Sequence, residues 1–174
     1  MAYAQRVIFF VFCVSVSFGQ RAPQSLFDSV AVTAEQEMRI LALDTITIKT
    51  QAEREELAML FASTKRFEYS FELLSVLCEE YPDNFDYQFL YGGVSGILAS
   101  ELPRVKSLPY VRAMKIAFEA AARLKPDALD IQIVLLQLYT ELPWVLGGSN
   151  KKATQVLEIV KSLSVIEGFL AEGY

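Results

Sequence analysis

The sequence contains no histidine, which excludes mechanisms that use an imidazole base and metal sites that use histidine ligands. Glycine and proline are few, eight and six in 174 residues, which excludes a collagen-like or low-complexity chain. Basic residues are also scarce, 16 against 21 acidic ones, so the basic surplus typical of nucleic-acid-binding proteins is absent. Without histidine no base completes a nucleophilic triad; a scheme based on Glu or Lys is the enzymatic alternative, and no residue points to one. We therefore predict a protein that is not an enzyme, binds no nucleic acid and needs no metal or cofactor.

Cysteine is nearly absent as well, since Cys13 and Cys78 are the two in the chain. Cys13 lies in residues 1–19, which have the order of a secretory signal peptide: Arg6, an apolar run over residues 7–18, and small residues up to Gly19. The run is shorter than the ~20 apolar residues that span a membrane. We expect cleavage after Gly19, in preference to a buried N-terminal helix. Cleavage leaves Cys78 alone, as a buried and unreactive thiol.

The remaining chain is more than half hydrophobic and carries repeated signals of paired helices. Thr50 and Glu53 form the pattern of a capping box. Tyr81-Pro82-Asp83-Asn84 and Lys125-Pro126-Asp127 each stop one helix and cap the next, and their prolines are 44 residues apart. Ser149 is placed to cap a helix over residues 150–163. We divide the mature chain into residues 20–49, an N-terminal helix over 25–43 with a linker, and residues 50–174, a helical repeat domain.

The order of small and aromatic residues over residues 51–174 resembles tetratricopeptide repeats. The positions that carry the resemblance are Ala58, Phe61, Phe67, Ser70, Leu74, Leu77, Pro82, Gly92, Phe118, Ala121, Pro126, Tyr139 and Ala153. The second unit carries an extra segment over residues 100–109, ahead of a helix over 110–124. The Pro-x-x-x-Gly-Gly-Ser loop at 143–149 resembles that of exported bacterial tetratricopeptide proteins. The resemblance implies an all-α fold in which antiparallel helical pairs stack as a right-handed solenoid, because each pair has an apolar stripe that it cannot bury alone.

Two surfaces are candidates for binding. The resemblance implies that the first helix of each pair lines a concave face, where we expect the partner-binding residues Glu55, Met59, Phe89, Ile133 and Gln137. The second candidate is the loop with Trp144, Gly147, Gly148, Ser149 and Lys151, since free amides at a helix start can hold an anion. A tight turn with a serine cap is the favoured interpretation of this loop. Core packing is the favoured interpretation of Trp144, and a ligand anchor is the alternative.

These patterns favour a non-catalytic scaffold that binds a protein or peptide, exported to the bacterial cell envelope and periplasmic or secreted. The alternative is a periplasmic protein that binds a small ligand through the Gly147–Lys152 loop and Trp144. No membrane span is expected after signal cleavage. Residues 165–174 resemble the opening of a further first helix without its second helix. We therefore expect self-association through the C-terminal helices or a chain shorter than the working protein, and the alternative is a frayed final helix on a monomer.

Overall fold

A computed structural model describes residues 32–171 of the chain, except the side chain of Phe169, and this part is all-helical without a strand. Its helices are α1 Ala34–Asp44, α2 Gln51–Ser63, α3 Phe67–Glu80, α4 Phe85–Glu101, α5 Arg104–Leu124, α6 Leu129–Glu141, α7 Asn150–Leu163 and α8 Val165–Ala171, with a 3₁₀ turn at Trp144–Leu146. The predicted all-α class is confirmed. The predicted signal peptide, residues 1–19, lies outside the described residues. Among residues 32–171, no helix has both the length and the apolar character to span a membrane.

The helix starts carry most of the caps that the sequence indicates. Thr50 Oγ1 accepts a hydrogen bond from the Glu53 amide, and the Glu53 carboxylate accepts one from the Thr50 amide. Asn84 caps α4, and Ser149 Oγ accepts from the Lys152 amide at the start of α7. Each bond satisfies an amide that the helix itself leaves free. The predicted helix over 150–163 is confirmed residue for residue.

Two predicted boundaries are wrong. In the described part of the chain the helix predicted over 25–43 begins only at Ala34, because Val32 and Thr33 are not helical and Thr33 forms a capping box that starts α1. The helix predicted over 110–124 begins earlier and takes in most of the extra segment over 100–109, since α4 continues to Glu101 and α5 begins at Arg104 and includes Pro109. A proline inside a helix costs one hydrogen bond and normally ends the helix. Here α5 makes the most extensive helix–helix contact of the described chain, with α4, and this packing outweighs that cost.

The hydrophobic core consists of three clusters that follow one another along the chain. The first joins α1 and α2, the second α2, α3 and α4, and the third α5, α6 and α7 with Ala171 of α8. Each helix makes its main contacts with the helices next to it in sequence. Cys78 is buried in the second cluster, as predicted, and burial raises the pKa of its thiol to about 12. The thiol is therefore protonated and unreactive at neutral pH.

Two kinds of turn occur twice with the same hydrogen bonds. At the α3–α4 turn Gln88 Nε2 donates to the Pro82 carbonyl at 3.3 Å, and at the α5–α6 turn Gln132 Nε2 donates to the Pro126 carbonyl at 2.9 Å. The sequence Glu-Leu-Pro-x-Val ends both α4 and α6. After each of these prolines, at 103 and 143, the amide three residues on donates to the proline carbonyl at 2.8 Å. The turns before α4 and α6, and the connections that follow these two helices, therefore share local hydrogen bonds.

Candidate functional site

The five predicted partner-binding residues lie on α2, α4 and α6 and differ widely in exposure. Glu55 is exposed, Met59, Phe89 and Ile133 are half-buried, and Gln137 is 3% exposed. Phe89 and Ile133 pack against the same hydrophobic cluster, and the Phe89 ring lies 5.9 Å from the ring of Phe118 on α5. These two of the five positions are thus connected through the core.

A hydrogen-bond chain that the sequence did not reveal connects α2 with α4. Tyr87, buried on α4, donates from its Oη to Glu55 Oε2 at 2.7 Å and accepts from Gln51 Nε2 at 2.9 Å. Burial, and then the neighbouring Glu55 carboxylate, raises the pKa of the Tyr87 hydroxyl, so it stays a donor at neutral pH. Glu55 is therefore held in place by the neighbouring helix. No local sequence signal indicates this pairing, because its partners are 32 residues apart.

Gln137 occupies the middle of the least buried face of α6. Three residues lie on the same side of the helix as Gln137 because of their spacing. They are Asp130, seven positions before it, Ile133, four positions before it, and Glu141, four positions after it. Asp130 is exposed and the other two are half-buried, yet Gln137 is buried between them. Its Nε2 has no hydrogen-bond partner among the residues that the structure describes. An unpartnered buried donor lowers the free energy of unfolding by about 1–3 kcal/mol. The presence of this amide therefore requires an explanation, and a ligand that accepts a hydrogen bond from it is one.

The carboxylates around Gln137 have no basic partner in the described chain. Partial desolvation raises the pKa of the Asp130 carboxyl although the residue is exposed, and burial raises the pKa of Glu141. Burial also raises the pKa of Glu167 on α8, and the negative charge of Asp130 raises it further. None of the ion pairs within residues 32–171 includes these three carboxylates. The face is therefore acidic and uncompensated.

The Gly-Gly-Ser loop is a tight turn held by backbone hydrogen bonds. Gly147 has φ of 100°, which favours glycine, and the Gly148 amide donates to the Pro143 carbonyl at 3.1 Å. The Ser149 amide donates to the Tyr139 carbonyl at 2.8 Å, so the turn folds back onto the end of α6. An ideal Cβ on Gly148 would lie 1.7 Å from the Leu142 carbonyl oxygen. Glycine is therefore required at both positions, for conformation at the first and for space at the second.

Side chains from α5, α6 and α7 meet beside this loop around Glu119. Tyr139 Oη donates to Glu119 Oε1 at 2.6 Å, Lys152 Nζ donates to the same oxygen at 3.0 Å, and Lys115 Nζ lies 3.7 Å away. Burial opposes ionisation of Glu119, but the hydrogen bonds from Tyr139 and Lys152 and the lysine charges outweigh it, so its pKa is lowered. The i,i+4 spacing of Lys115 and Glu119 is the one sequence signal of this cluster. The lysines near the loop thus neutralise Glu119.

Trp144 and Lys151 are both exposed, the tryptophan at 84%. The favoured interpretation of Trp144 as a core residue is therefore wrong. The reason is local, because Pro143 turns the chain out of α6 and the short 3₁₀ turn carries the indole on its outer side. The contacts of Gly147, Gly148 and Ser149 favour the structural interpretation of the loop.

No family model, curated protein or solved structure matches this chain. The resemblance to tetratricopeptide repeats therefore stays a prediction from the sequence. The case for a binding site depends on the geometry of the described residues alone.

Two glutamines on α6 give a matched test of that geometry. Replacing Gln132 by leucine should lower the free energy of unfolding by about 1–2 kcal/mol, because the Pro126 carbonyl loses its donor. Replacing Gln137 by leucine should leave it unchanged or raise it by about 1 kcal/mol, because an unpartnered amide is removed. Urea denaturation of the two variants and the parent measures both effects. A loss for Gln137→Leu as large as that for Gln132→Leu would show that its amide is paired in the free protein.

The lowered pKa of Glu119 predicts that the stability of the protein depends on pH. Its pKa is lowered in the folded state, so its contribution is fully present above the ordinary carboxyl pKa and is lost as pH falls through the folded value. Glu119→Gln should cost about 1–2 kcal/mol at pH 7, and this cost should shrink below about pH 4. Denaturant titrations of both proteins at the two pH values measure the difference. A cost that is the same at pH 7 and below pH 4 contradicts the assignment.

Proposed function

We propose that the chain is a tetratricopeptide-like solenoid that binds an extended segment of a partner protein on the face formed by α2, α4 and α6. Three features support the solenoid: helices contact their sequence neighbours, the hydrophobic clusters follow one another along the chain, and the turn hydrogen bonds recur. Antiparallel pairs fit the short connections, since Leu102 and Pro103 alone join the two helices that contact each other most.

The observation that carries the binding role is the buried amide of Gln137 on this face. An amide presents a donor and an acceptor, which is the pattern that a peptide backbone complements. In the proposed repeats, Met59 on α2, Gly93 on α4 and Gln137 on α6 occupy equivalent positions. An ideal Cβ on Gly93 would meet nothing within 4 Å, so the surface of α4 is open at that position.

Site-specific photo-crosslinking tests this proposal. Benzoylphenylalanine placed at Met59 or Ile133 should crosslink a protein partner in envelope extract of the native host. The same group at Ile116, which is exposed on α5, is the matched control and should not. Equal crosslinking at Ile133 and Ile116 would contradict a specific face. A co-purified metabolite, with no protein crosslinked, would instead support the small-ligand alternative.

Export to the bacterial envelope is part of the proposal and is supported by the pattern of residues 1–19. Mass spectrometry of the protein from the envelope of its host should find Gln20 as the N-terminal residue of the mature molecules. A full-length product in the cytoplasm would contradict export.

Self-association through the C-terminal helices also stays a proposal. Val165, Ile166 and Leu170 are exposed on α8, and exposed apolar side chains that lie together are typical of interaction surfaces. Light scattering should give a mass above that of a monomer. Ile166→Lys should reduce that mass, and a parent protein that is monomeric at high concentration contradicts the proposal.

A further inference from the structure

The acidic residues around Gln137 are placed to select the charge of the partner segment. Along α6, Asp130 and Glu141 lie about 10 Å and about 6 Å from Gln137 on opposite sides, at 1.5 Å per residue. The charge of Asp130 acts on Glu167 of α8, so Glu167 adds a further carboxylate to this end of the face. A segment that lies over Gln137 therefore meets negative charge at both ends of α6.

We infer that this part of the face binds a basic, extended peptide segment, with the amide of Gln137 bonded to its backbone and its Lys or Arg side chains received by Asp130, Glu141 and Glu167. This inference rests on the proposed function and names the chemistry of its partner. An ammonium or guanidinium group would relieve the repulsion between Asp130 and Glu167 and pair with Glu141. An acidic segment would add to that repulsion, so the face discriminates by charge as well as by shape.

The contrast with other carboxylates of the protein strengthens the inference. Glu119 forms an ion pair with Lys152 at 3.0 Å, and Glu80 forms one with Arg54 at 2.6 Å. Asp130, Glu141 and Glu167 have no such pair within residues 32–171, although burial disfavours their charge. Gln137 is the second and independent observation, because its Nε2 is buried without a partner in the same described part of the chain.

Fluorescence anisotropy with labelled decapeptides tests the charge preference. The probes are alternating Lys-Ala, Glu-Ala and Ser-Ala peptides, added to the purified full-length chain at low salt and at high salt. The Lys-Ala peptide should bind at least about tenfold more tightly than the Ser-Ala peptide, with less advantage at high salt. The Glu-Ala peptide should bind most weakly.

Variants locate the effect on the face. Asp130→Asn with Glu141→Gln should weaken Lys-Ala binding about tenfold and leave Ser-Ala binding unchanged. Gln137→Leu should weaken both peptides alike, without loss of thermal stability. The matched control is Glu68→Gln with Glu72→Gln, two exposed carboxylates of α3, which should change neither affinity. Circular dichroism confirms that each variant is folded before its affinity is compared.

The outcomes separate this inference from the proposed function. Equal binding of the Lys-Ala and Ser-Ala peptides, weakened alike by Gln137→Leu, overturns the charge preference and leaves the peptide face standing. Lys-Ala binding that survives Asp130→Asn with Glu141→Gln also overturns the inference. Failure of every peptide to bind, together with no crosslink at Met59 or Ile133, overturns both. Displacement of Lys-Ala by free spermidine at equal charge concentration indicates a small polycation site and overturns the peptide assignment.

Discussion

Replacing Gly148 by alanine is expected to lower the free energy of unfolding by about 3 kcal/mol, although alanine adds a single methyl group. The ideal position of that methyl group is 1.7 Å from the carbonyl oxygen of Leu142. Real contacts of this kind are more than 3 Å long, and the obstacle is backbone, which no side-chain rotation can remove. The turn must open, which breaks the hydrogen bond from Ser149 to Tyr139 that joins the loop to α6. Urea or thermal denaturation measures the loss.

Val145→Ala is the matched control, because Val145 lies on the same turn and its side chain is exposed. Its effect should stay below about 0.5 kcal/mol. The positive backbone angle of this turn belongs to Gly147 and not to Gly148. The reason for glycine at 148 is therefore steric. A Gly148→Ala protein that unfolds at the same denaturant concentration as the parent would contradict the tight turn.

Replacing Gly92 by valine should lower the free energy of unfolding by about 3 kcal/mol, because α4 and α5 are too close for any side chain there. An ideal Cβ on Gly92 would lie 2.6 Å from two ring carbons of Phe118, and that ring is itself 5% exposed. The ring has little room to move inside a packed core. Denaturant titration of Gly92→Val against the parent measures the effect.

Gly93→Val is the control for Gly92→Val, since it puts the same side chain on the adjacent residue. An ideal Cβ on Gly93 meets nothing within 4 Å, so its cost should stay near or below about 0.5 kcal/mol. A double variant, Gly92→Val with Phe118→Leu, should be more stable than the sum of the two single effects implies, because they share one contact. Equal losses for Gly92→Val and Gly93→Val would contradict the assignment of the loss to the contact with Phe118.

Local signals made the helices and their turns predictable. Thr50, Asn84 and Ser149 indicate where helices begin because their side chains accept hydrogen bonds from amides that a helix start leaves unpaired. Pro82 and Pro126 mark where the preceding helices have already ended, and the same hydrogen bonds recur at both turns. These are interactions between residues three to six positions apart, so the sequence contains both partners within a few residues.

The candidate site was predictable only in part. The repeat register placed Gln137 on the binding face, but it could not distinguish its amide from those of Gln88 and Gln132, which bond to proline carbonyls at the turns. The three residues have the same side chain and similar burial, and the difference lies in what surrounds each amide. The pairing of Tyr87 with Glu55 also joins separate helices and leaves no trace in local spacing.

The sequence by itself determined the all-helical class, most helix limits, the caps and the tight Gly-Gly-Ser loop, because these follow from hydrogen bonds and backbone angles within a few residues. The tertiary structure decided that α5 runs through Pro109 and that Gln137 is buried without a partner. Each of these depends on contacts between helices, whose free energy is set by which surfaces meet. Burial and pairing are properties of that assembly, and a local pattern cannot specify them.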